Sequence, residues 1–126
     1  MEPPSRTVLV VDDDASIRFL CRVNLELDGW DVRDAGTIDD ARRELADGRV
    51  AVTLLDAHIG TQSGLAFLDE MRRDHADVAV AMLTGSVGTG ALDTARADAF
   101  IPKPFTLEQL RDTVRRLASR AAQTAG

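Results

Sequence analysis

Val8-Leu9-Val10-Val11-Asp12-Asp13-Asp14 is the stretch from which the architecture can be read. Four aliphatic residues lead straight into three carboxylates. An uninterrupted aliphatic run of this kind suits a strand covered on both faces, as in a parallel sheet. The acids then stand at the strand's carboxyl end, on the edge where open parallel α/β sheets bind their ligands. Like charges gathered there repel one another and need a compensating cation. Neutralising Asp12 or Asp13 is therefore expected to raise stability when no metal is present.

Two further runs repeat the pattern. Val50–Leu55 ends at Asp56, and Val78–Leu83 ends at Thr84. Two weaker segments read as edge strands: Trp30–Asp34, which alternates apolar with polar, and the short Ala99-Phe100-Ile101, which runs into Pro102-Lys103-Pro104-Phe105. Helical patterns separate them. Asp14 can N-cap a helix over roughly 15–28 in which Ile17, Leu20, Val23 and Leu27 recur at helical spacing as an apolar stripe, with Gly29 closing it. Thr37 caps a second helix, ending near Gly48. A loop over 57–64 precedes a third, whose Leu65, Phe67, Leu68 and Met71 face the core. The glycine-rich run from Gly85 to Gly90 confines any fourth helix to about 90–97. Thr106-Leu107-Glu108-Gln109 matches a capping box and opens a last helix with Leu107, Leu110, Val114 and Leu117 on one face.

These segments make five β-α units. The three most apolar strands are the first, third and fourth, and the order 2-1-3-4-5 places those three inside. The expected fold is a single α/β domain, a flavodoxin-like doubly wound parallel (βα)5 sheet. Its body spans 7–121, between a loose lead-in at 1–6 and a small polar tail at 122–126.

Composition narrows the function. A net charge of −6 argues against nucleic-acid or anionic-membrane binding through general electrostatics. The lone Cys21 excludes an internal disulfide. Met1-Glu2-Pro3-Pro4 has neither the apolar nor the basic character of a signal region, and no apolar run is long enough to span a membrane, so the expected compartment is the cytoplasm.

In this topology Asp12, Asp13, Asp56, Thr84 and Lys103 all fall at or just past strand ends on one edge of the sheet. Each alone has an ordinary explanation, as a solvated turn, a helix cap or a surface lysine. Together they form a chemical set. Carboxylates plus a backbone carbonyl suit Mg²⁺, a hard cation that keeps waters and meets phosphate. A carboxylate beside that ion can attack phosphorus and become an aspartyl phosphate. A lysine ammonium shares the charge neutralisation, and a threonine hydroxyl can donate to a phosphoryl oxygen.

Val10-Val11-Asp12-Asp13-Asp14, Leu54-Leu55-Asp56 with Gly64 eight residues on, Leu83-Thr84-Gly85 and Lys103-Pro104-Phe105 occur here in that order. With them the chain resembles the receiver (CheY-like) domain of two-component response regulators, from about 7 to 121. The resemblance implies that Asp56 accepts a phosphoryl group from a histidine kinase or a histidine phosphotransfer protein. It also implies that Asp13 and Asp56 ligate Mg²⁺, with Asp12 acting through water and His58 lending its backbone carbonyl. Thr84 is similar to the switch hydroxyl, Phe100 to the switch aromatic, and Lys103 to the phosphate-binding lysine, whose bond to Pro104 is cis in this family. The phosphorylated form would then bind an unknown downstream protein, with no direct nucleic-acid or membrane contact. The chain would catalyse only its own phosphorylation and dephosphorylation, and would not be an enzyme in the usual sense.

Some positions depart from the family. Phe100 replaces a frequent Tyr, and Gly60 stands where Pro is common, which suggests a more mobile loop. The interval from Thr84 to Phe100 is short by about one helical turn. His58 and Ser86 hold positions that tune phosphoryl lifetime in the family. Three other readings compete. The chain could be the receiver portion of a longer regulator or hybrid kinase, as against a stand-alone regulator. A flavodoxin-like cofactor binder would need a phosphate cradle where this chain has acids. An Asp-nucleophile phosphatase would need its nucleophile after the first strand and a capping insertion.

Overall fold

The computed structural model describes residues 6–85 and 97–125. The first strand is β1 (Thr7–Val11), followed by helix α1 (Ala15–Leu27), strand β2 (Asp31–Ala35) and helix α2 (Ile38–Leu45). Strand β3 (Val50–Asp56) leads into a small hairpin, β4 (His58–Ile59) and β5 (Gln62–Ser63), and then helix α3 (Gly64–Asp74). Strands β6 (Ala79–Thr84) and β7 (Ala99–Pro102) and helix α4 (Leu107–Ala125) follow. The main sheet is parallel and runs β2-β1-β3-β6-β7, which is the expected order once the hairpin strands are set aside. The helix expected over about 90–97 lies outside the described residues except for Ala97, and Ser86 lies wholly outside them.

The aliphatic runs are continuous because both faces of the sheet are covered. Leu9 and Val11 of β1, Leu55 of β3, and Val80 and Met82 of β6 pack with Ile38, Leu45, Phe67, Leu68 and Met71 of α2 and α3. The alternate residues Val8, Val10, Val52, Leu54, Ala81 and Leu83 pack with Cys21 and Leu25 of α1 and Leu110, Val114 and Leu117 of α4. Strand side chains alternate between faces, so one run of sequence supplies two cores.

The caps agree with the sequence. The Asp14 carboxylate accepts from the amides of Ser16 and Ile17, and the Thr37 hydroxyl accepts from Asp40 N. Thr106 and Gln109 exchange the reciprocal pair of a capping box, at 2.8 and 3.0 Å. Trp30 and Cys21 are buried. Burial pushes the Cys21 thiol up to about 12, so it stays protonated and inert.

Three expectations are corrected. The apolar stripe of α1 does not face the core as Leu20, Val23 and Leu27. Cys21 and Leu25 fill the core with partly buried Ile17 beside them, a 17-21-25 spacing, whereas Phe19, Leu20, Val23 and Leu27 are exposed. The helix carries apolar residues on two faces, and periodicity alone follows either. Likewise Leu107 is exposed at the start of α4, while Leu110, Val114 and Leu117 are buried as expected. The 57–64 loop is also more regular than expected, being tied into the β4–β5 hairpin.

Candidate functional site

Strand register brings the acids together. Val11 pairs with Leu55 across β1–β3, so the next residue of each strand, Asp12 and Asp56, emerges at the same level. Asp56 is also level with Leu83 on β6, one residue before Thr84, and Thr84 is level with Pro102 on β7, one residue before Lys103. The Lys103 amide donates to the Thr84 carbonyl at 2.7 Å, which locks those last two strand ends together. The Lys103–Pro104 peptide bond is cis, as the resemblance implies.

The side chains then converge. Lys103 Nζ lies 2.8 Å from Asp12 Oδ2 and 3.4 Å from Asp56 Oδ2. Asp12 is fully buried, and its other oxygen, Oδ1, accepts from Asp14 N at 2.9 Å. Asp56 is 8% exposed, which leaves its carboxylate within reach of an incoming group, and its Oδ1 accepts from His58 N at 3.3 Å. Asp13 is exposed and accepts from the Gly60 amide at 2.9 Å. That last contact changes the reading of Gly60. The residue has φ +61°, and its N–H, which a proline would lack, anchors the loop to the acids rather than loosening it.

Electrostatics follow from this packing. Burial, and then the neighbouring charge of Asp12, push the Asp56 pKa above the usual carboxylate value, against the pull of Lys103. Lys103 is held above its ordinary value: burial works against its charge, but the hydrogen bond and charge of Asp12 and the charge of Asp56 outweigh that. Carboxylate oxygens of Asp12, Asp13 and Asp56 all lie within 4.8 Å of one another. Three carboxylates against one ammonium leave an excess of negative charge, and the donors are all hard oxygens, so the set fits a divalent cation of the Mg²⁺ kind.

The close approach of the backbone around Asp56 depends on Gly64. A Cβ there would lie 2.0 Å from the Asp56 carbonyl oxygen. Thr84 sits on the same edge, and Phe100 is 42% exposed. The imidazole-bearing residue His58 is exposed on the hairpin. One participant was missed in the sequence. Arg18 Nη1 donates to the main-chain oxygen of Asp12 at 2.7 Å. A charged residue one helical turn past Asp14 was the available signal, but helix surfaces carry many such residues.

The family model for the response regulator receiver domain matches residues 8–115. The chain belongs to that family. It is 32% identical over 123 residues to the response regulator MprA of Mycobacterium sp. (strain KMS), a match covering 94% of this chain and 53% of that one. The chain thus spans about half the length of the curated relatives it matches. Among solved structures it is similar to the receiver domain of NtrX from Brucella abortus, with 31% identity, a TM-score of 0.83, and coverage of 89% of this chain and 98% of that one. The fold is also shared with a CheY-like receiver domain protein from Methanospirillum hungatei, at 22% identity, a TM-score of 0.87, and coverage of 95% and 98%. Receiver domains of this family work with histidine kinases and downstream effectors. No described helix is long and apolar enough to cross a membrane.

Proposed function

We propose that this receiver takes a phosphoryl group from a phosphohistidine, on a kinase or a phosphotransfer protein, onto Asp56. The observation that carries the reading is the placement of the Asp56 carboxylate. Its side chain is mostly buried but keeps 12% exposure, lies 3.4 Å from the Lys103 ammonium, and is clustered with the oxygens of Asp12 and Asp13. An Asp56 oxygen attacks phosphorus, the P–O bond forms as the donor's P–N bond breaks, and the departing imidazole takes a proton. Lys103 is already poised between Asp12 and Asp56 and moves toward the new phosphoryl oxygens, where its charge counts most.

Asp13 and Asp56 would hold Mg²⁺ directly, Asp12 through water, and His58 would lend its backbone carbonyl. The ion supplies neutralisation of the charge that accumulates on the transferring group. Asp12 suits the outer role because its two oxygens are already engaged by Asp14 N and Lys103. After transfer, the Thr84 hydroxyl donates to a phosphoryl oxygen and moves toward it. Phe100 then turns into the space that Thr84 leaves, giving a changed surface for a downstream protein partner. The exposed stripe Phe19, Leu20, Val23 and Leu27 begins just over one helical turn beyond Asp14, an apolar surface of the sort a protein donor can cover while reaching Asp56. Chemistry is confined to the chain's own aspartate, in a cytoplasmic setting, and hydrolysis by water resets it. A stand-alone regulator and the receiver portion of a longer one share all these steps.

The test is labelling with acetyl phosphate. Label should form in the presence of Mg²⁺, be released by mild alkali as an acyl phosphate is, and fall about a hundredfold or more when a chelator removes the metal. Label that forms equally well with chelator, or that survives alkali, would contradict the reading.

A further inference from the structure

The turn that carries the acids is held from outside by Arg18. The Asp12 amide still belongs to the sheet, donating to the Ala35 carbonyl at 3.1 Å. Its carbonyl instead accepts from Arg18 Nη1 at 2.7 Å. The same guanidinium, through Nε, reaches Asp34 Oδ2 on β2 at 3.0 Å. The other oxygen of Asp34 is taken by Arg22 Nη2 at 2.5 Å, and Arg22 also donates to the Val32 carbonyl at 2.9 Å. Burial disfavours charge on Asp34, but hydrogen bonds from Arg22 and Arg18 prevail and hold its pKa below the usual value. Arg18 is thus braced by a carboxylate that is itself fixed to the helix.

Gly36 shows how closely the guanidinium packs on the strand end. Its φ is not in the left-handed region, so the backbone does not demand glycine there. The space is demanded by Arg18. A Cβ on Gly36 would fall 2.9 Å from Nη1 and 3.3 Å from Cζ of the guanidinium.

We propose that Arg18 is a positioning residue of the acidic site: braced by Asp34 and given room by Gly36, it holds the Asp12 carbonyl and so sets how the turn presents Asp12 and Asp13 to a divalent cation. The inference rests on the reading of these acids as a Mg²⁺ site. Arginine is suited to the task because its planar fork reaches two acceptors at fixed angles, whereas a lysine ammonium is a point charge on a flexible stem. Exposed pairs such as Arg33 with Asp47 tie elements together without touching the site.

Mg²⁺ binding to the full chain, measured by calorimetry at fixed pH and ionic strength, separates the possibilities, with metal-free melts run alongside. Arg18→Lys and Gly36→Ala both keep the charge but disturb the guanidinium. Each should weaken Mg²⁺ about three- to tenfold, at the lower end of what outer-sphere partners of metal ligands contribute. Arg18→Met should weaken it at least as much. The proposal is overturned if Arg18→Lys and Gly36→Ala bind Mg²⁺ as tightly as the parent, even with a lower Tm, because the contact is then only a brace. It is also overturned if Arg18→Met binds more tightly while Arg18→Lys is unchanged, since Arg18 then acts only as a charge. If the parent chain binds no Mg²⁺ that Asp13→Asn abolishes, the metal reading itself fails and this inference fails with it.

Discussion

Gly64→Ala should destabilise the domain by about 3 kcal/mol or more, lowering Tm by roughly 10 °C, and should take acetyl phosphate labelling down with it. The added Cβ would lie 2.0 Å from the Asp56 carbonyl oxygen, 3.0 Å from its carbonyl carbon and 3.1 Å from the Ala57 Cα. All three are backbone atoms, so no side chain can swing aside. The Gly64 amide donates to the Ala57 carbonyl at 2.8 Å, which holds the start of α3 against the end of β3. Relief requires either opening the β4–β5 hairpin or displacing the strand end that aims Asp56, and a displacement of about 1 Å is enough to cost a reaction on the order of a hundredfold. Urea melts and labelling on the same preparation check both halves. A variant that melts and labels like the parent would mean that the close approach is not needed.

Asp56→Asn should reduce labelling to background, a loss of about a thousandfold or more, because an amide oxygen is a far poorer nucleophile than a carboxylate. The same change should make the metal-free protein more stable near neutral pH, by about 1 kcal/mol. The sign follows from the raised pKa of Asp56, whose causes are burial and then the charge of Asp12. A carboxyl whose folded pKa lies above its unfolded value favours folding while it is protonated. That contribution is complete below the ordinary carboxylate range, around pH 4, and is lost as pH rises through the folded value. At pH 7 the parent carries the unfavourable charge and the asparagine variant does not; near pH 4 and below, the two should converge. Metal-free urea melts at the two pH values measure this. A variant less stable than the parent at pH 7, or one that still labels, would count against the assignment.

The repulsion between Asp12 and Asp56 is shared, so neutralising either acid removes it, but at Asp12 the gain meets an opposing cost. Asp12 is buried, but Lys103 and Asp14 N already occupy its oxygens. An asparagine there would turn an amide donor toward one of the two groups that now donate to it. Sequence order could show that acids and a lysine meet at one edge. Which acid takes the lysine depends on register and side-chain reach, and neither is written in local pattern.

The same division runs through the fold. Strand order was legible because aliphatic runs report two-sided burial, and the caps were legible because Asp14, Thr37 and Thr106 act on amides only two or three residues away. The inward face of α1 was not. Phe19, Leu20, Val23 and Leu27 are as apolar as the residues that do reach the core, and only the packing of α1 against β2 and α4 decides between the two faces. Arg18, Gly36 and the Gly60 amide were invisible for a related reason. Arg18 meets Asp12 and Asp34, Gly36 lies against Arg18, and the Gly60 amide meets Asp13, pairings distant enough in sequence or ordinary enough in type that only folding reveals them.

The phosphoswitch depends on Asp56 being the residue that receives phosphate. The most direct measurement is to label the chain with acetyl phosphate and Mg²⁺, reduce the acyl phosphate with borohydride, and map the product by peptide mass spectrometry. Homoserine is expected at position 56, with unchanged aspartate at positions 12 and 13. Homoserine at either of those positions, or a stable phosphoryl group on His58, would contradict that assignment.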